Sequence, residues 1–266
     1  MFAFVALFLL ILFSKRVETG HISATLNNRI SALRLQRTSH YFIFTGLGVL
    51  LALHWWAFFH SIQISTVAVG LLTFSTFPVF CVFLEPLFFK EKIGYTDIMA
   101  ALLTFGGIVW MTPKFDLNDS TTIGAVFGVL SGLSFAVLQI LNRKYVQMYS
   151  GRLITCYQTG VAAFVLLLMV SFTENSFTMS HIFMLMILGV LCTAAAHSLF
   201  ISGLRSVKVR SASIIAGLEP VYGIVFAMIF LCEMPSCREI VSGIVILCAV
   251  AFVSMKKKDV SFKRKW

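Results

Sequence analysis

Charge is what this chain of 266 residues has least of. Only 12% of its residues are charged, where a soluble domain carries about a quarter. The motifs of chemistry are missing as well. There is no HExxH, no GxSxG and no carboxylate pair beside a histidine at helical spacing, which leaves a membrane-embedded enzyme without its machinery. No nucleotide-binding loop occurs, so a primary pump would need another subunit. The six cysteines, at 81, 156, 192, 232, 237 and 248, form no CxxC, so no metal, redox centre or other cofactor is implied. Cys232 and Cys237 are close enough in sequence either to pair or to remain free thiols.

Apolar residues fill the space, at 59% of the chain. Runs of about 20 apolar residues match the hydrocarbon core of a bilayer, and a chain built of them spans it as helices. Such runs cover 41–60, 66–89, 94–112, 122–142, 153–172, 181–204, 211–232 and 238–255. A ninth run, 1–14, reaches only ~21 Å as a helix, short of a ~30 Å core. Its basic residues, Lys15 and Arg16, follow the apolar stretch, the reverse of a signal peptide.

If each run crosses once and the basic tail 256–266 is cytoplasmic, nineteen of the 21 Lys and Arg fall on the cytoplasmic side. Only Lys114 and Arg238 fall outside, a strong positive-inside bias. The net charge of +10 is thereby a topology signal. It gives no support for a nucleic-acid partner, because the basic residues alternate with spans instead of forming one face. The tail "KKKDVSFKRKW" is an anchor of topology that could also meet anionic membrane lipid.

The chain repeats itself. "PVFCVFLEPLFFKE" (Pro78 to Glu91) returns as "PVYGIVFAMIFLCE" (Pro220 to Glu233), with one constant shift in numbering carrying each position onto its counterpart. Under the same shift Asp97 meets Glu239, and the flanking apolar runs align too. The topology puts Glu91 inside and Glu233 outside, so the two copies are inverted, which requires an odd number of helices in each. Helix 122–142 would map to a helix before residue 1. The arrangement expected is an all-helical, polytopic inverted repeat of two five-helix units, with about nine helices in this chain. The first repeat covers 1–112 and lacks its first helix, the second covers 122–255, and a cytoplasmic tail covers 256–266.

In these features the chain resembles the drug/metabolite transporter superfamily, EamA-type branch. The resemblance rests on Pro78 with Glu91, on Leu218-Glu219-Pro220 with Glu233, and on the aromatic text "HWWAFFHSIQISTVAV" before the first copy. It covers essentially the whole chain, apart from that missing first helix. It implies a multi-pass permease of the cell membrane, of the bacterial inner-membrane kind, moving small metabolites such as amino acids, often outward, by alternating access. The partner implied is a small-molecule solute, and a homodimer is left open. The competing reading is a truncated paralogue or scaffold that transports nothing.

Within that frame a few residues stand out. Pro78 and Pro220 sit near the middle of their runs, and each frees a carbonyl one turn back, at Phe74 and Ala216. Inverted-repeat transporters place sites at such breaks, although a proline can also serve only to kink a packed helix. Glu219 lies beside the second break at mid-depth, where a carboxylate should face the interior with a partner. A proton-coupling or amine-binding role follows, against a purely structural hydrogen bond between helices. His54 and His197 occupy equivalent helices and could meet solute or Glu219, or be satisfied by neighbouring helices. Trp55, Trp56 and Tyr222 could stack on a cationic solute, against simple packing in a chain with 27 phenylalanines.

Glu85 reads as a gate charge or a snorkelling side chain. Gln139, Asn142, Tyr157 and Gln158 read as interfacial groups at helix ends. Glu91 and Glu233 read as structural boundary residues. Ser236 to Glu239 reads as a capping box. Gly124, Gly128 and Gly132 share one helix face, for close packing or for sliding between halves.

Overall fold

The chain is represented by a computed structural model, which describes residues 2–13, 34–89, 94–111, 116, 118–170, 178–207, 209, 212, 216 and 219–255. Glu91, Leu218, Lys114 and the basic tail lie outside the described residues. Among the described residues there are nine helices and no strand. They are α1 Phe2–Phe13, α2 Thr38–Ile64, α3 Val67–Phe89, α4 Tyr95–Met111, α5 Ser120–Tyr145, α6 Gly151–Val170, α7 Met179–Gly203, α8 Glu219–Leu231 and α9 Cys237–Met255. Five of them, α2, α3, α5, α6 and α7, are long and apolar enough to cross a membrane.

The chain places its helix starts with side-chain acceptors for otherwise orphaned N–H groups. Asp119 Oδ2 accepts from Thr122 N–H (3.0 Å) before α5, and Ser150 Oγ from Leu153 N–H (3.2 Å) before α6. Thr66 Oγ1 accepts from Val69 N–H (3.0 Å) at the start of α3. At α9 the capping box read from the sequence is present. Ser236 Oγ accepts from Glu239 N–H (3.3 Å), and Glu239 Oε2 accepts from Ser236 N–H. Arg143 and Lys144 close α5, complementing its dipole.

The chain divides into two compact units, Met1–Leu53 with Leu141–Val207, and His54–Ile140 with Lys208–Trp266. Each takes a stretch from before and after the 113–121 loop, and α2 and α5 contribute to both.

In the first unit, α1 packs against α6 and α7 through Ala3, Leu7, Cys156 and Ala194, with Phe4 alongside. Gly160 permits this approach, since a Cβ there would stand 2.8 Å from the Phe4 ring. An aromatic group closes the other side of the unit. Phe44, fully buried, packs on Tyr145, Tyr149 and Tyr157, and Tyr149 Oη meets His40 Nδ1 and accepts from Gln36 N–H (2.9 Å). Residues Leu188–Ala195 of α7 are wound as π-helix, with Thr193 Oγ1 donating to Leu188 C=O five residues back (3.0 Å).

In the second unit, Val69, Leu72, Met111, Ala125 and Ile246 form the core. Helices α4 and α9 lie together, with Gly107 against Ile246. The glycine face of α5 packs on α2 and α3. A Cβ at Gly124 would collide with Ser65, one at Gly128 with Thr73, and one at Gly132 would stand 2.9 Å from Thr76 Oγ1. Ser61 Oγ donates to Gly124 C=O across the same seam (2.6 Å). Helix α8 ends in a π-wound stretch, Ala227–Leu231, followed by Cys232 in the left-handed conformation (φ 54°, ψ 27°).

Candidate functional site

Helix α3 is two helices in one span. Val67–Phe74 and Phe77–Phe89 are separated by a turn at Ser75 and Thr76. Pro78, buried in the first turn of the second segment, has no N–H to offer the Phe74 carbonyl. Hydroxyls hold the broken backbone together. Thr73 Oγ1 donates to Val69 C=O (2.6 Å), Ser75 Oγ to Leu71 C=O (2.9 Å) and Thr76 Oγ1 to Thr73 C=O (2.7 Å). Gly132 of α5 comes against the gap, where a Cβ would lie 3.0 Å from the Phe74 oxygen. Irregular backbone at membrane depth is tolerated where protein or an aqueous cavity surrounds it.

His54 lies beside this break. Its ring is buried among Phe58, Phe74 and Phe135, with centroids 6.3, 5.4 and 4.7 Å away. Its Nδ1 meets Ser131 Oγ at 2.8 Å and the Ser131 carbonyl at 3.2 Å. The histidine is thus satisfied by a neighbouring helix, one of the two roles the sequence left open. Trp55, the next residue, is half-buried, and Trp56 is exposed, stacked on His60 with centroids 5.5 Å apart.

Helix α8 runs antiparallel to α3 in the same unit. Val67 meets Glu233, Leu71 lies against Gly223, and Val209 meets Glu85. Four residues on from Leu71 and four back from Gly223, Ser75 comes level with Glu219. The break in α3 and the Glu219 carboxylate therefore share one depth. Glu219 and Tyr222, three apart and so on one helix face, are both exposed, and Pro220 between them is buried. Pro220 stands in the first described turn of α8. Of residues 210–218 only 212 and 216 are described, both helical, so the freed Ala216 carbonyl expected from the sequence lies largely outside what is described. Among the described residues no three His, Cys, Asp or Glu side chains come together as a metal ion would require.

The comparisons agree with this architecture. The model of the EamA-like transporter family matches residues 122–255. An Archaeoglobus fulgidus protein described as an uncharacterized transporter is 30% identical over 206 residues, covering 77% of this chain and 73% of its own. The chain belongs to the EamA-like transporter family. A Clostridium kluyveri protein, also described as an uncharacterized transporter, is 23% identical over 72% of this chain and 65% of its own. A solved crystal structure superposes with a TM-score of 0.63 at 16% identity, covering 96% of this chain and 87% of that one, and so shares the fold.

In this EamA-like transporter Glu85 departs from the snorkelling that the sequence left open, while Glu233 and Glu239 hold structural positions as read. Glu85 does not snorkel. It is fully buried, and its Oε1 accepts from Val209 N–H (3.0 Å). Glu233 Oε1 accepts from Val67 N–H (2.7 Å), and Glu239 Oε1 from Thr66 Oγ1 (2.7 Å). No sequence signal pairs Glu85 with Val209, because the two are 124 residues apart.

Of the polar groups expected at interfaces, Tyr157 is half-buried and the other three are fully buried. Gln139, Asn142 and Gln158 have no exposed surface. In the first unit Gln158 Nε2 donates to Asn142 Oδ1 (2.5 Å), and its Oε1 lies 3.4 Å from His197 Nε2. Amides inside an apolar bundle need partners, and the energetic cost of leaving one unpaired explains why they gather. His197 thus keeps company with amides in one unit, while His54, Trp55, Pro78, Glu219, Pro220 and Tyr222 belong to the other. None of the six cysteines is in a disulfide, and Cys232 and Cys237 are both exposed.

Proposed function

We propose that the protein is a secondary transporter of small, amino-acid-like metabolites, working by alternating access, with export the direction the resemblance favours. The supporting observation is Glu219. It is an exposed carboxylate half-way along an apolar segment, level with the hydroxyl-lined break of α3 and one turn from exposed Tyr222. A carboxylate at that depth is costly against lipid, so this reading assigns its exposed face to a solvated cavity. There it would pair with a solute amine or carry a coupling proton, with Tyr222 stacking on the cation. His54, Trp55 and Pro78, which belong to the same unit as Glu219, are the wall residues this reading assigns to the solute. The match of the family model to 122–255 supports the reading of the second repeat as one inverted five-helix unit, with 1–112 as its partner.

Counterflow of radiolabelled amino acids in proteoliposomes tests this. Exchange of at least one zwitterion is expected, abolished by Glu219→Gln in a protein that still inserts. Undiminished, pH-dependent exchange by that variant rejects the role of Glu219. Absence of exchange across the panel by the folded protein favours a scaffold.

A further inference from the structure

The broken span α3 is tied at both ends to the stretch of chain that carries α8, and by the same kind of bond. Val67 N–H, in the first turn of α3, has no intrahelical acceptor and donates to the carboxylate of Glu233, just past the end of α8. Val209 N–H, at the opposite end of the pair, donates to the carboxylate of Glu85, one turn from the end of α3. Val67 and Val209 are themselves counterparts, related by the same shift in numbering that carries Pro78 onto Pro220. Each repeat thus supplies one valine N–H and one carboxylate to the other, although the carboxylates are not themselves counterparts, since the shift carries Glu85 onto Ala227 and Glu91 onto Glu233.

Eighteen residues separate Val67 from Glu85, which is at most about 27 Å of helix, close to the ~30 Å hydrocarbon thickness. The two ties therefore sit near opposite boundaries of the bilayer, with the break at Ser75 and Thr76 and the level of Glu219 between them. A carboxylate on a backbone N–H is a charge-assisted bond, favoured at the Val67 end by the dipole of α3. It is also short-range and breaks over a small displacement, unlike an apolar seam.

We infer that Glu233 and Glu85 are reciprocal latches. Each closes one end of the α3/α8 pair, and the transport cycle releases one while the other holds. The inference rests on the transport reading for its meaning, but it can be read without any solute. The two ends are not equal. At the Glu233 end Thr66, Ser236 and Glu239 add a second set of hydrogen bonds, whereas Glu85 is deeply buried.

Two buried positions report the two ends. Cys81, buried and one turn before Glu85, reports one in a background where the other five cysteines are serine. Val69→Cys, also at a buried site, reports the other in a background that also carries Cys81→Ser. Alkylation rates are measured in proteoliposomes without solute. Glu85→Ala should raise modification of Cys81 about tenfold, the scale of one charge-assisted bond, and leave Val69→Cys protected. Glu233→Ala should do the reverse. Glu85→Gln and Glu233→Gln, which keep an acceptor oxygen, should fall between and stand in for an alanine variant that does not fold. Exposure of both reporters by either substitution, or of neither, overturns the latch assignment. Opposed exposure with no solute exchanged would uphold the latches and count against the solute reading alone.

Discussion

Helices α3 and α7 are almost equally apolar and of similar length, yet 72% of the most apolar stretch of α3 is buried in protein and 11% of that of α7. Hydropathy places both in the membrane and says nothing of which neighbour each finds there. The difference lies in the polar minority. Thr66, Thr73, Ser75, Thr76 and Glu85 in and beside α3 each need a partner that lipid cannot supply, and all find one in protein. Helix α7 presents Met184, Leu185, Met186 and Leu191 outward, and its main polar contacts are local. A span that carries hydroxyls and carboxylates is drawn inward because backbone and side-chain polar groups in hydrocarbon must be satisfied.

The largest effect that could break this contrast is at Gly128. Gly128→Leu drives a side chain into Thr73 and should cost about 3 kcal/mol or more, beyond ordinary overpacking, seen as loss of a cooperative thermal transition in detergent. A near-native midpoint would show that α3 is not held by the α5 seam. Next is Ser131→Ala, which strips the buried His54 ring of a hydrogen bond and should cost about 1–3 kcal/mol. Unchanged thermal stability would mean that the Ser131 carbonyl and the aromatic neighbours hold the ring without the hydroxyl. Gly160→Ala, on the first unit, should cost about 1 kcal/mol by pushing α1 off α6, and rescue by Phe4→Leu would sharpen the assignment. The smallest effect belongs to α7, where Met184→Leu should change stability by less than about 0.5 kcal/mol. A large loss there would mean that this face is covered in the working protein.

The spans were legible because twenty apolar residues have few other uses. Their observed ends lie mostly one to three residues from the sequence reading, with the end of α2 further off and the start of α8 outside the described residues, and caps such as Asp119 and Ser236 account for several of them. Pro78 pointed to the break in α3, since the loss of one N–H is a local fact. What filled the break was not legible. Gly132 lies on another span, two helices beyond Phe74 in chain order, and only the folded helices bring its bare backbone to the freed carbonyl. The same holds for Glu85 and for the amides Asn142 and Gln158, whose positions near helix ends suggested water. A residue's distance from a span's end is written in the sequence, whereas the side of the helix that meets protein depends on neighbours far along the chain. Glu219 falls between the two cases. Its depth followed from sequence, and its level with Ser75 required the antiparallel register of α3 and α8.

Cys232 gives that register an unexpected handle for chemistry. It takes a left-handed conformation that glycine would adopt without the ~1–2 kcal/mol an L side chain incurs, and it does so immediately before Glu233. The residue is exposed and its thiol is free. A maleimide or chloroacetamide reagent therefore has a ready-made address beside the carboxylate that grips Val67, and a bulky adduct would occupy the room the carboxylate needs to reach its donor. Covalent ligands built on this thiol could jam or prop open one end of the transporter without competing for whatever solute it carries.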